Sequence, residues 1–268
     1  MIIMSLILDI DYVSLAQLKK IGMDLGSGAV SVALETNGRG FIGFLVELPG
    51  AYVRAGSETE ALSKVSDEAE SYLNWLGISQ ATSRQGIIVE RHICQLTVED
   101  ADSEILLSAD RVPVTEDESQ RLAELARQSG KTFFSLYDSS RLRHWVDPAR
   151  VRKTFYGETP KTIQETFDHV KDTQRYYLSR LGLDVDGGRS FLDIRQSCME
   201  RIEELLRTRG NSVIYNVDGE QWTAKKVLRR FIWHDRIHGK AITRMLAKQK
   251  RFGLIEDYEN LFHFRLRS

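Results

Sequence analysis

Two histidines, His234 and His238, stand where a helical pattern calls for apolar side chains. Val227, Phe231, His234, His238, Ala241 and Met245 follow one another in steps of three and four residues, the spacing of one helix face. Residues at i and i+4 lie within about 6 Å on such a face, so both imidazoles can reach one divalent ion. An unsatisfied polar group in a core costs on the order of 1–3 kcal/mol, and ligation or hydrogen bonding removes that cost. The spacing alone also occurs on solvated helix faces, so the seam position is what favours a site. A site able to do chemistry wants three protein ligands and an open position. That requires a donor from another helix, for which His169 is the candidate, although its place to one side of the Phe167/Val170 stripe equally suits a surface histidine. Three neutral imidazoles with an open position would let the ion lower the pKa of a water or a thiol. Imidazole suits zinc, nickel and iron; zinc is the first choice.

The other reactive residue types lack partners at useful spacing. His92, His144 and His263 have no ligand-spaced neighbour, and Cys94 and Cys198 form no C-x-x-C pair. Cys198 falls on an apolar stripe and reads as a small core residue. Gly26-Ser27-Gly28 is followed by no Lys-Ser/Thr, so it is not a phosphate loop. Lys225, Lys226, Arg229 and Arg230 read as a solvated helix face. Asp168 and Asp235 adjoin histidines, but consecutive helical residues point about 100° apart, which leaves only an indirect role. No catalytic carboxylate or nucleophile, and no residue that binds an organic cofactor, can be assigned.

The elements that must position these histidines are legible in outline. Val30–Thr36 alternates as a strand, Asn37-Gly38 supplies a turn, Phe41–Glu47 is its hairpin partner, and Gly86–Leu96 is a later strand. Between them Ser57 and Glu60 form a capping box for a helix that Gly77 stops. Beyond a polar stretch, four helices carry their own start signals. Thr115 and Glu118 open the first, which runs towards Asp138 through an awkward Gly130; Thr159-Pro160 opens the second, Ser190 the third and Thr223 the fourth, which runs to about Lys250. Four amphipathic helices pack most economically as a bundle. The fold expected is an α+β domain with a small antiparallel sheet over residues 1–110, then an all-α up-down four-helix bundle over 111–268.

Gly157–Leu181 with His169 inside it, and Gly219-Glu220-Gln221-Trp222-Thr223 leading into Phe231–Lys240, resemble the DinB/YfiT-like superfamily of helical bundles, over roughly Val114 to Ala247. The resemblance implies that His169, His234 and His238 bind one divalent metal. It also implies thiol-dependent S-transferase or isomerase chemistry with a low-molecular-weight thiol, or hydrolysis. Gly40–Phe44, Glu47-Leu48-Pro49-Gly50 and Ala55–Leu62 are similar to the HicB-like antitoxin domain over about 60 residues, departing where Ser57 and Thr59 bracket the family's threonine. A DNA-binding tail is absent from the HicB pattern here, and the helical region stands in its position.

Composition sets the frame. The 268 residues are 42% hydrophobic and 28% charged, with a net charge of −1. Lys and Arg number 7 against 16 Asp and Glu up to Asp110, and 30 against 22 beyond it, which weakly supports a boundary there. No apolar run nears the roughly 18 residues of a membrane span. Met1–Ile10 is read as a first strand or an extended start, with Met4 or Met23 as alternative initiators. A cytoplasmic homo-oligomer is expected, acting on a small molecule and binding neither membrane nor nucleic acid. The competing expectation is a non-enzymatic regulatory protein whose HicB-like domain binds a protein partner and whose metal is structural.

Overall fold

The computed structural model describes residues 28–78, 83–151, 153–154, 157–185, 190–210 and 212–266. The expected start at Met1–Ile10, the alternative initiators, and Gly26 and Ser27 lie outside them. The alternating segment forms β1 (Ala29–Thr36), which turns Val30, Val32 and Leu34 to one face and Ala33 to the other. Asn37 makes the turn, its Oδ1 accepting from the N–H groups of Arg39 and Gly40, while Gly38 takes φ +85°. β2 (Phe41–Leu45) returns antiparallel, with Val32 opposite Leu45 and Thr36 opposite Phe41, and β3 (Tyr52–Ala55) pairs antiparallel with β2.

β4 (Gln85–Ile93) lies on the free side of β1 and runs parallel to it, giving the order β3-β2-β1-β4. The sheet is therefore mixed, not antiparallel as expected. The parity of the connections explains it: two hairpin reversals leave β3 parallel to β1, and the helical crossover after β3 brings the chain back to start β4 from the same end. That crossover is two helices, α1 (Glu58–Ser63) and α2 (Val65–Trp75), broken at Lys64. Ser57 caps α1 as expected by accepting from the Glu60 N–H, and Gly77, at φ +73°, follows the end of α2. The crossover sits close on the sheet, since a Cβ on Gly86 would come within 2.8 Å of Val65.

Beyond the sheet the chain is mainly helical. α3 (Glu116–Asp138) starts with the Thr115/Glu118 capping box, α5 (Phe191–Arg209) with one made by Ser190 and Asp193, and α6 (Ala224–Arg251) with Thr223 accepting from the Lys226 N–H. α4 (Ile163–Ser179) is capped by Thr162, not by Thr159. Thr159 Oγ1 donates to the Arg150 carbonyl and the Pro160 carbonyl accepts from Arg150, so both residues belong to the loop before the helix. Proline also biases its predecessor away from helical backbone. A hairpin, Tyr215–Val217 with Glu220–Trp222, precedes α6.

The four long helices pack on one another, every pair in contact. One continuous apolar core runs from β1 and α2 through all four of them. α6 also joins the helices to the other face of the sheet, where its Trp233 packs on Phe44 and Tyr52 in a second, smaller apolar cluster. Gly50, at φ +85°, seats the Leu48–Gly50 turn on α6, where a Cβ would lie 2.6 Å from Ile232. Lys226, Arg229 and Arg230 are buried, which corrects the solvated face expected there. Lys226 is paired with Glu220 at 2.7 Å, Arg229 with Asp110 at 2.6 Å, and Arg230 donates to the Ser103 carbonyl. Periodicity defined that face correctly, but the segment around 103–110 and the hairpin cover it with carboxylates and carbonyls. Among the described residues no helix is long and apolar enough to cross a membrane.

Candidate metal centre

His234 and His238 lie one turn apart on α6, and His169 faces them from the first half of α4. The three ring centroids are 4.4, 4.7 and 5.0 Å apart, and one potential ligand nitrogen from each ring lies within 4.8 Å of the others. His169 Nε2 is 3.2 Å from His234 Nε2. Two nitrogens each about 2.0–2.1 Å from a tetrahedral ion are separated by about 3.3 Å, so this pair already has the spacing of two ligands of one metal. The same distance admits a hydrogen bond if one Nε2 carries a proton; ligation requires both lone pairs to turn inward. Among the described residues no other group of three potential ligands comes together.

The cluster runs from core to surface: His234 is buried, His238 half-buried and His169 exposed. Tyr177 presents its ring to His234 at 5.5 Å and packs on Phe231 behind it, closing the inner side. All three histidines are held below their ordinary pKa. Burial is the main cause for His234, reinforced by His238, His169, Arg230 and Arg195. Burial likewise leads for His238, followed by the charges of His169 and Arg150. His169, exposed as a residue, has its ring over the other two; the desolvation there lowers it, and Asp172 opposes the shift. All three thus favour the neutral form that donates a lone pair to a metal.

Neither neighbouring carboxylate turns to the histidines. Asp168 accepts from Gln164 at 3.0 Å. Asp235 is fully buried and forms a two-pronged ion pair with Arg195 at 2.7 and 2.9 Å, while Ser129 donates to it at 2.8 Å. Arg195 also donates to the Ala126 carbonyl and to Gln174. This network ties α3, α4, α5 and α6 together one residue away from His234, and sequence reasoning missed it. The signals available were an arginine four residues after Phe191 on an inner stripe, and a glycine in the middle of α3. A Cβ on Gly130 would lie 2.6 Å from Arg195 Nη1, so the glycine makes room for the guanidinium.

The remaining histidines stay outside the cluster. His92 approaches Glu90 at 3.1 Å, and His144 and His263 are exposed. Cys198 is buried in the core as expected, and burial pushes its thiol up to about 11. It therefore offers no thiolate at neutral pH. Compared with protein families, curated proteins and solved structures, the chain matches none.

Proposed function

We propose that this protein binds one divalent metal through His169, His234 and His238 and uses it to activate a thiol or a water against a small electrophilic substrate. The reading includes an up-down arrangement of the four long helices, like that of the DinB/YfiT-like superfamily. One observation carries it: three imidazoles from two helices converge around a common point with one member at the surface. The donor set fits a metal, with three nitrogens of one ligand type and no fourth His, Cys, Asp or Glu closing the group among the described residues. A divalent ion held there would supply a nucleophile at neutral pH by lowering the pKa of a water or thiol. Zinc fits such ligands best, and nickel and iron are the alternatives.

The chain's own contribution is positioning. His234 sets the depth of the site from the rigid axis of α6, and Tyr177 excludes water from its inner wall. His169 stands at the mouth, and Arg150 lies near enough for its charge to act on His238. Metal analysis of the purified protein should find about one ion per chain, and markedly less in His238→Ala. Conjugation of a small thiol to alkylating electrophiles should fall to the uncatalysed rate in that variant. Equal rates in wild type and His238→Ala would end the enzymatic reading.

A second reading, in which the sheet recruits a protein partner and the metal is structural, is favoured by β4. This edge strand exposes Ile87, Val89 and Ile93, the last at 86%. An open edge with apolar side chains is a template for a partner's strand. Capture of a defined protein by the full chain, abolished by Val89→Lys, would support it; identical capture by both would not.

A further inference from the structure

A cavity of ≈ 190 Å³ opens on the side of α6 away from the histidines. Its helix residues are Lys240 and Arg244, and Lys240 follows His238 by two positions, about 200° around the axis. The other walls come from β3, the start of α2 and the C-terminal segment. Five cationic side chains line it against two carboxylates.

Those carboxylates are already engaged. Glu68 is taken at 2.7 Å by Arg236 from within α6, with Lys240 more loosely at 3.7 Å, and Asp67 is taken at 2.7 Å by Arg265. Lys64 is spent on Glu60 and on the Arg54 carbonyl. That leaves the guanidinium groups of Arg54 and Arg244, neither of which makes an ion pair or hydrogen bond among the described residues. Tyr52 adds an independent sign. Only 6% of it is exposed, it lines the same cavity, and its hydroxyl has no hydrogen-bond partner among the described residues. Its hydroxyl is protonated at neutral pH, as burial only raises its pKa, and it can donate into the cavity.

We propose that this cavity binds a phosphoryl group, as free phosphate or at the end of a small phosphate ester, through Arg54, Arg244 and the Tyr52 hydroxyl. Two guanidinium forks and a hydroxyl, brought in from two different elements, suit an anion with three outward oxygens better than a carboxylate with two. The volume lies below the roughly 300–1,000 Å³ of pockets that enclose whole cofactors or drug-sized ligands, so a phosphoryl group with few further atoms is the right scale.

The test is calorimetric titration of the full chain with inorganic phosphate and with glycerol phosphate, the ionic strength held constant with chloride. Binding of either anion is expected, the tighter one telling free phosphate from an ester. Arg244→Gln, an exposed change, should weaken it roughly tenfold or more, and Tyr52→Phe roughly threefold or more, with unaltered melting temperatures without phosphate. His238→Ala should leave phosphate affinity unchanged, so this site and the metal reading can fail separately. Absence of binding by both anions at millimolar concentration, or wild-type affinity in Arg244→Gln, would overturn the proposal.

Discussion

Replacing Asp235 with alanine probes the polar network that ties the four long helices together beside His234. The carboxylate is fully buried, accepts both prongs of the Arg195 guanidinium at 2.7 and 2.9 Å, and accepts from Ser129 at 2.8 Å. Arg195 is itself only 2% exposed, so bulk solvent does not reach its guanidinium. Its remaining acceptors, the Ala126 carbonyl and Gln174, are neutral. Leaving one charge buried and unpaired costs about 3–5 kcal/mol. For a chain of this size each kcal/mol lowers Tm by about 2–4 °C, so Asp235→Ala should melt roughly 6–20 °C below wild type. Asp235 is turned to Arg195 and not to the histidines, so a metal bound as proposed should be retained below the transition. The double variant Arg195→Met/Asp235→Leu removes both charges and fills the space. It should recover much of the loss, because a buried pair is expensive mainly when half of it remains. Urea and thermal unfolding of wild type, Arg195→Met, Asp235→Leu and the double variant form a double-variant cycle. A loss under about 1 kcal/mol for Asp235→Ala, or additive effects of the two positions, would refute the reasoning.

Three further outcomes follow from the same packing. Gly50→Ala combines a φ of +85° with a Cβ 2.6 Å from Ile232 and 2.7 Å from the Trp233 nitrogen, so it should cost about 1–3 kcal/mol in urea unfolding; a neutral effect would mean the turn is not seated on α6. Gly130→Ala would gain about 1 kcal/mol of helix propensity on an open helix, but here its Cβ meets the locked Arg195 guanidinium at 2.6 Å, and net destabilisation is expected; net stabilisation would show that the arginine can move. His234 and His238 are held below the ordinary histidine value of about 6.5, so the unfolded chain takes up protons first as pH falls. Their effect on metal-free stability is therefore nil above about pH 6.5 and increasingly adverse below it, and His238→Ala should fall off less steeply between pH 7 and 5. Parallel slopes for the two proteins would count against burial of neutral rings.

Local signals marked most of the elements. Ser57, Thr115, Ser190 and Thr223 each cap a helix where one was expected to start, because a cap is a contact between residues three apart and needs nothing distant, whereas the break at Lys64 had no such local mark. The HxxxH seam on α6 was equally legible, since the helix repeat alone puts both rings on one face. Competing local signals mislead. Thr159-Pro160 has the form of a helix start, yet Arg150 claims both residues for a loop.

What the residues alone determined, then, was the helix register and the pairing of His234 with His238. Whether His169 points to that pair or to solvent depends on how α4 is rotated against α6, and periodicity left it open. Only the tertiary structure brings its Nε2 to 3.2 Å from that of His234. Packing likewise buried Lys226, Arg229 and Arg230, paired Asp235 with Arg195 and set β4 parallel to β1. Each of these joins residues far apart in the chain, and the energies that decide them, desolvation of charge and exclusion of volume, exist only once distant elements meet.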